Sequence, residues 1–139
     1  MSQLVLDDQL KARQVLIPLR QWTTAQVLRE LRPGQHVLDE RVPAILLTLK
    51  QPAFVTIDQH FWKRSLCHPA YAILYFDLSD DHQELLPALL RALFRQPDFR
   101  TRARRTGKVA RVRLTSVEWW HYQGTELQRL AWKGASRRK

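Results

Sequence analysis

The sequence predicts an α/β fold organised around a mainly parallel sheet. Three observations lead there. The run P-A-Y-A-I-L-Y-F at residues 69–76 is apolar on both alternating faces, as a strand buried from both sides of a parallel sheet must be. Val42, Ile45, Leu46 and Leu49 recur at i, i+3, i+4 and i+7, the signature of a helix with one buried face. Segments of these two kinds alternate along 139 residues, a length that suits one core.

Taken in order, Leu4-Val5-Leu6 reads as a short strand ending at Asp7-Asp8, and residues 9–14 as one or two helical turns. Val15-Leu16-Ile17 reads as a second strand stopped by Pro18. Thr23 or Thr24 caps a helix through Val27, Leu28 and Leu31, which Pro33-Gly34 ends. Asp39 is placed to cap the helix that carries Val42 to Leu49, with Pro43 near its start. Residues 54–57 form a strand and residues 69–76 the next. Ser79-Asp80-Asp81 precede a leucine-rich helix that accommodates Pro87. V-A-R-V-R-L at 109–114 alternates like a half-exposed strand, and residues 117–120 extend or follow it. The predicted domain covers residues 1–122, with 123–139 as a basic C-terminal extension.

Composition removes several function classes. No apolar run reaches the length of a membrane span, and M-S-Q-L-V-L-D-D lacks the basic start of a signal peptide. Cys67 is the only cysteine, so neither an intrachain disulfide nor a cysteine-based zinc site is available, and a reducing cytoplasm is the simplest setting. His36 and His82 stand far apart in sequence, and the few isolated glycines form no phosphate loop. Charge is uneven. Residues 1–58 hold seven Lys/Arg against six Asp/Glu, whereas residues 59–139 hold sixteen against seven, a net of +9. That asymmetry favours a polyanionic partner such as nucleic acid.

The acids follow a pattern. Sites in open parallel sheets form beyond the carboxyl ends of the strands. Asp7 and Asp8 follow the first strand, Asp58 ends V-T-I-D, Asp77 follows the next strand, and Asp39 and Glu40 open the helix leading into the Asp58 strand. Gathered at one edge, these carboxylates would repel each other and raise each other's pKa, a conflict that a hard divalent cation removes. Such a cation can activate water and stabilise a phosphodiester transition state. The expected metal ligands are therefore Asp7, Asp8, Asp39, Glu40, Asp58 and Asp77, with Mg²⁺ or Mn²⁺ as the ion. Asp7 and Asp58 are the strongest of these. Each acid also has a plain structural use as a cap or turn residue.

The chain resembles the PIN-like nuclease superfamily, in particular its small stand-alone predicted toxin nucleases. L-V-L-D-D-Q-L is similar to the family's opening strand and first acid. D-E-R-V-P-A-I-L-L-T-L is similar to its helix with an acidic pair, and V-T-I-D-Q-H-F to its threonine–x–aspartate–x–x–phenylalanine strand end, carried here by Thr56, Asp58 and Phe61. The resemblance spans roughly residues 3–120. It implies a three-layer PIN-like sandwich and a Mg²⁺- or Mn²⁺-dependent endoribonuclease with Asp7, Asp58 and Glu40 as catalytic residues. It also implies the toxin half of a toxin–antitoxin pair, with RNA as substrate and an antitoxin protein as partner. A homodimer is open. The family often has an acid two positions after the aspartate; here that position is His60, which could bind metal or phosphate or be a surface histidine.

Residues 91–113 hold nine Lys/Arg and one acid, so Arg102, Arg104 and Arg105 are the expected phosphate contacts. Trp119, Trp120, His121 and Tyr122 could stack bases or form core or interface. Two rival readings stand beside the ribonuclease: a non-catalytic PIN-like nucleic-acid-binding module, and an interaction protein using its aromatic C-terminal region.

Overall fold

Seven strands form one sheet in the order β2-β1-β3-β4-β5-β6-β7. The structure is a computed structural model and describes residues 3–34 and 37–132. The strands are β1 (Gln3–Leu6), β2 (Thr24–Val27), β3 (Ala53–Thr56), β4 (Ala72–Phe76), β5 (Lys108–Val112), β6 (Ser116–His121) and β7 (Gln128–Ala131). Strands β1 to β5 are mutually parallel, while β6 and β7 extend the sheet antiparallel. The expected α/β class with a mainly parallel sheet is what the chain forms.

Alternation along the strands sorts the core onto two faces. Leu4, Leu6, Val55, Leu74 and Phe76 point to one face and meet Leu19 of α1 (Ile17–Arg20) and Leu86, Leu89, Leu90 and Leu93 of α4 (Leu86–Leu93). Val5, Phe54, Ile73 and Val109 point to the other and meet Leu28 of α2 (Leu28–Leu31) and Val42, Ile45 and Leu46 of α3 (Val42–Leu46). Phe54, Phe76, Leu4, Leu6 and Ile73 are fully buried, which explains why the both-face apolar runs are central strands.

Two early elements differ from expectation. Val15-Leu16-Ile17 is not a strand: residues Ala12–Leu16 form a helical turn that runs into α1, with Pro18 in the first turn of that helix, where its missing N–H costs nothing. The second strand is instead Thr24–Val27, paired to β1, in the segment read as helix; only Leu28–Leu31 is helical. Asp39 opens a short 3-10 turn (Asp39–Arg41) ahead of α3 rather than capping a long helix, and makes no side-chain cap. The sheet also continues past residue 122, since β7 pairs with β6, so the expected boundary there falls inside the sheet. The basic tail beyond Trp132 and His36 lie outside the described residues.

From β1 the chain goes outward to β2 on one side and then crosses to β3 on the other. The carboxyl ends of β1 and β3 therefore flank the switch-point crevice, where doubly wound sheets bind ligands.

Candidate metal centre

The last ladder contacts carry the acids to that crevice. Asp7 N–H still donates to Val55 O (2.9 Å), which holds Asp7 one step beyond β1. Thr56, the last residue of β3, is fully buried. Its hydroxyl donates to Asp7 Oδ2 (2.7 Å) and accepts from Asp58 N–H (2.9 Å). One threonine thus braces both acids, the physical use of the T-x-D spacing. Asp58 then caps the turn Gln59–Phe61: its Oδ1 accepts from His60 N–H (2.9 Å) and lies 2.8 Å from His60 Nδ1.

The turn before α3 brings Asp39 to the same place. Ligand atoms of Asp39, Asp58 and His60 all lie within 4.8 Å of one another. Two ligands of one cation, each about 2.1 Å from it, stand at most about 4.2 Å apart, so small side-chain adjustments suffice for a shared ion. Carboxylates suit Mg²⁺ and Mn²⁺, and the imidazole extends the donor set toward transition metals.

The electrostatics are those of acids crowded together. Burial pushes Asp7 up from 3.8 to about 6, opposed by the Thr56 hydrogen bond and reinforced by the charges of Asp39 and Asp58. Asp39 is also raised, by desolvation first and then by the charge and hydrogen bond of Asp58, with His60 acting the other way.

The expected ligands divide. Asp39 and Asp58 converge, whereas Asp7, expected as one of the two strongest ligands, lies outside that group, near enough for the charges of Asp39 and Asp58 to raise its pKa. Glu40 is outside the three-residue group but lines the adjoining groove with Asp39 and His60. Asp8 is turned to Arg29, accepting from its backbone N–H (3.0 Å) and pairing with its guanidinium (3.6 Å). Asp77 accepts from the Tyr75 hydroxyl (3.2 Å) and Arg113 Nε (2.9 Å). His60, set apart in the sequence as the missing family acid, is the third member of the group. The signal available for it was its i+2 spacing from an acid at a strand end.

The arginines expected to meet phosphate lie away from the acids. Helix α5 (Arg102–Arg105) immediately precedes β5 and so lies at the amino end of the parallel strands, opposite the acids. Four residue steps along β5 separate its ends by about 13 Å. Arg105 is buried, donating from Nε to Phe99 O (3.0 Å) and from Nη2 to Arg100 O (3.2 Å), with its guanidinium 3.8 Å from the Phe94 ring centre. Its guanidinium is thus engaged by the fold, whereas Arg104 is exposed. The cations on the acid side are others. Thr56, Tyr75, Arg111, Glu118 and Arg129 are successive cross-strand neighbours on one sheet face, where Arg111 is bound to Glu118, and Lys63 lines the groove beside Asp39.

Of the aromatic cluster, the two tryptophans pack, while His121 is half-buried and Tyr122 exposed. Trp119 meets Phe99 edge-on (5.1 Å) in one core, and Trp120 stacks on Trp62 (4.2 Å) at the margin of the other.

Fold and site together define a class: an α/β protein with a mostly parallel sheet whose switch-point crevice gathers carboxylates and a histidine of the kind that hold a divalent cation. Comparison with known protein families, curated proteins and solved structures finds no match to the chain. Among the described residues no helix is long and apolar enough to cross a membrane.

Proposed function

We propose that the protein is a PIN-like ribonuclease that hydrolyses RNA phosphodiester bonds with Mg²⁺ or Mn²⁺, and serves as the toxin of a toxin–antitoxin pair. The observation that carries this is the meeting of Asp39, Asp58 and His60 beside Asp7 at the switch-point crevice. Asp39, Asp58 and His60 would hold the cation, with Asp7 adding its charge under the control of Thr56. The cation would supply water activation and charge stabilisation at the phosphodiester. The net charge of +10 favours the approach of RNA over long distances.

A second reading, a non-catalytic PIN-like nucleic-acid-binding or interaction module, draws on one specific observation. Asp8 and Asp77 are each held by an arginine, which leaves fewer acids for the ion than the family pattern implies.

Cleavage of a defined RNA with Mg²⁺, with Mn²⁺ and with chelator separates the two. The ribonuclease reading expects cleavage with metal, none with chelator, and loss of about 100-fold or more in Asp58→Asn, since an anionic ligand is gone. Asn at 58 retains the oxygen that accepts from His60 N–H, so circular dichroism should report an intact fold. Wild-type protein inert with both metals would leave the binding module standing.

A further inference from the structure

Beside the carboxylate–histidine group lies a groove of about 450 Å³ lined by Asp39, Glu40, Pro43, His60, Phe61, Lys63 and Leu66. We propose that this groove is a mononucleotide subsite, in which Lys63 holds the phosphate next to the cation and Pro43, Phe61 and Leu66 support the base or ribose. The proposal rests on the metal-centre reading above and adds the ligand of the same site.

Three features lead to a nucleotide. The volume falls within the range of about 300–1,000 Å³ usual for small-molecule sites. The lining is divided: Pro43, Phe61 and Leu66 offer an apolar surface, while Lys63 offers an exposed ammonium, a point charge suited to phosphate. The third feature is the balance of charge. Asp39 and Glu40 line the groove with Asp58 beside them, against the one ammonium of Lys63, so the groove by itself repels a phosphate. A divalent cation on Asp39, Asp58 and His60 offsets that excess. Phosphate and cation then each improve the site for the other, and the two affinities must rise by the same factor.

A second groove supplies the contrast. It is of similar size, about 470 Å³, and is lined by Arg32, Val37, Leu38, Arg41, Ala44, Ile45 and Thr48, with two arginines and no carboxylate. An anion bound there would need no metal.

The test is calorimetric titration of adenosine 5′-monophosphate and of inorganic phosphate into the full chain, with Mn²⁺ and with chelator. Mn²⁺ should tighten nucleotide binding, and nucleotide should tighten Mn²⁺ binding equally. Asp58→Asn should lose this coupling, which also controls for Mn²⁺–nucleotide complexes formed in solution. Lys63→Ala should weaken the nucleotide about tenfold or more while leaving Mn²⁺ alone bound no more weakly than in the wild type. The nucleotide should bind more tightly than phosphate because only it reaches the apolar lining. Binding equal in chelator, affinity unchanged by Lys63→Ala, loss on Arg41→Ala in its place, or nucleotide no tighter than phosphate would each overturn the proposal. RNA cleavage on the same preparations separates the two readings. Coupled nucleotide binding without cleavage keeps the subsite and removes the ribonuclease, whereas cleavage with a nucleotide indifferent to Lys63 does the reverse.

Discussion

At the carboxyl end of β1 the sheet half-buries an acid among acids; before the amino end of β5 it buries a base among bases. Asp7 is driven up to about 6 by burial, with Asp39 and Asp58 adding to the shift. Arg105 is driven down to about 10 by burial, with Arg102 adding to it. The two differ in what compensates them. Arg105 donates to the carbonyls of Phe99 and Arg100 and lies over the Phe94 ring, so the fold itself satisfies it. Asp7 has the Thr56 hydroxyl and the Asp8 backbone N–H, but the charges beside it are those of Asp39 and Asp58, which a cation from outside the chain would offset. Perturbation alone therefore does not distinguish a site from a core; the identity of the compensating group does.

The largest expected effect breaks the comparison at the basic end. Arg105→Ala strands two carbonyl acceptors and removes a cation from an aromatic face, so it should destabilise the protein by about 3 kcal/mol in urea unfolding. Arg104, exposed one position earlier, should change stability by no more than about 0.5 kcal/mol on the same substitution. Equal, small effects at both positions would remove Arg105 from the core.

Next in size is the pH dependence at the acid end. An acid whose folded pKa lies above its ordinary value of 3.8 binds more protons folded than unfolded between about pH 4 and pH 6. The contribution of Asp7 to the stability of the metal-free protein should therefore be greatest below that window and fall as pH rises through it, by on the order of 2 kcal/mol. The raised pKa of Asp39 acts in the same direction. Asp7→Asn keeps an oxygen for the Thr56 hydroxyl but cannot ionise, so most of the fall should disappear. Urea midpoints at pH 4 and pH 7 in chelator measure this, and a change between the two pH values equal in wild type and Asp7→Asn would contradict it. Adding Mn²⁺ at pH 7 should restore stability to the wild type by binding the folded state.

The sequence carried the centre of the fold better than its margin. Residues 54–57 and 69–76 are short runs rich in β-branched and aromatic residues and bounded by turn residues, which favours strands over buried helices, so β3 and β4 were legible. Residues 24–31 were ambiguous. Val27, Leu28 and Leu31 sit at helical spacing, yet Ala25 and Val27 are the buried positions of a period-2 strand, and pairing with β1 decided the matter. Val15, Leu16 and Ile17 have β-forming side chains, but only Val15 and Leu16 are buried, and Pro18 starts a helix there instead of stopping a strand. The acids were legible because strand ends aim at one edge. Their individual partners were not, since Arg29 and Arg113, which hold Asp8 and Asp77, come from other parts of the chain. The basic run shows the same limit: nine cations in residues 91–113 announce charge, but which of them face water, and at which end of the sheet, is set by tertiary packing.

The smallest expected effect sharpens the comparison between the ends. Arg102→Ala/Arg104→Ala removes two positive charges from the amino end, separated from the acids by the length of β5, about 13 Å. A short RNA of about four nucleotides seated at Asp39, Asp58 and Lys63 has its phosphates close to the metal centre, so the double variant should bind and cleave it within about twofold of wild type. An RNA of about twenty nucleotides can cover both ends. Each cation it engages releases counterions from the strand, so its affinity should fall severalfold in the variant and the salt slope should drop by about 1.4, or 0.7 per cation. Filter binding of both lengths across a salt series reads the two predictions together. A loss with the short RNA as large as with the long one would join the basic and acidic ends into a single site and undo the separation drawn from the strand directions.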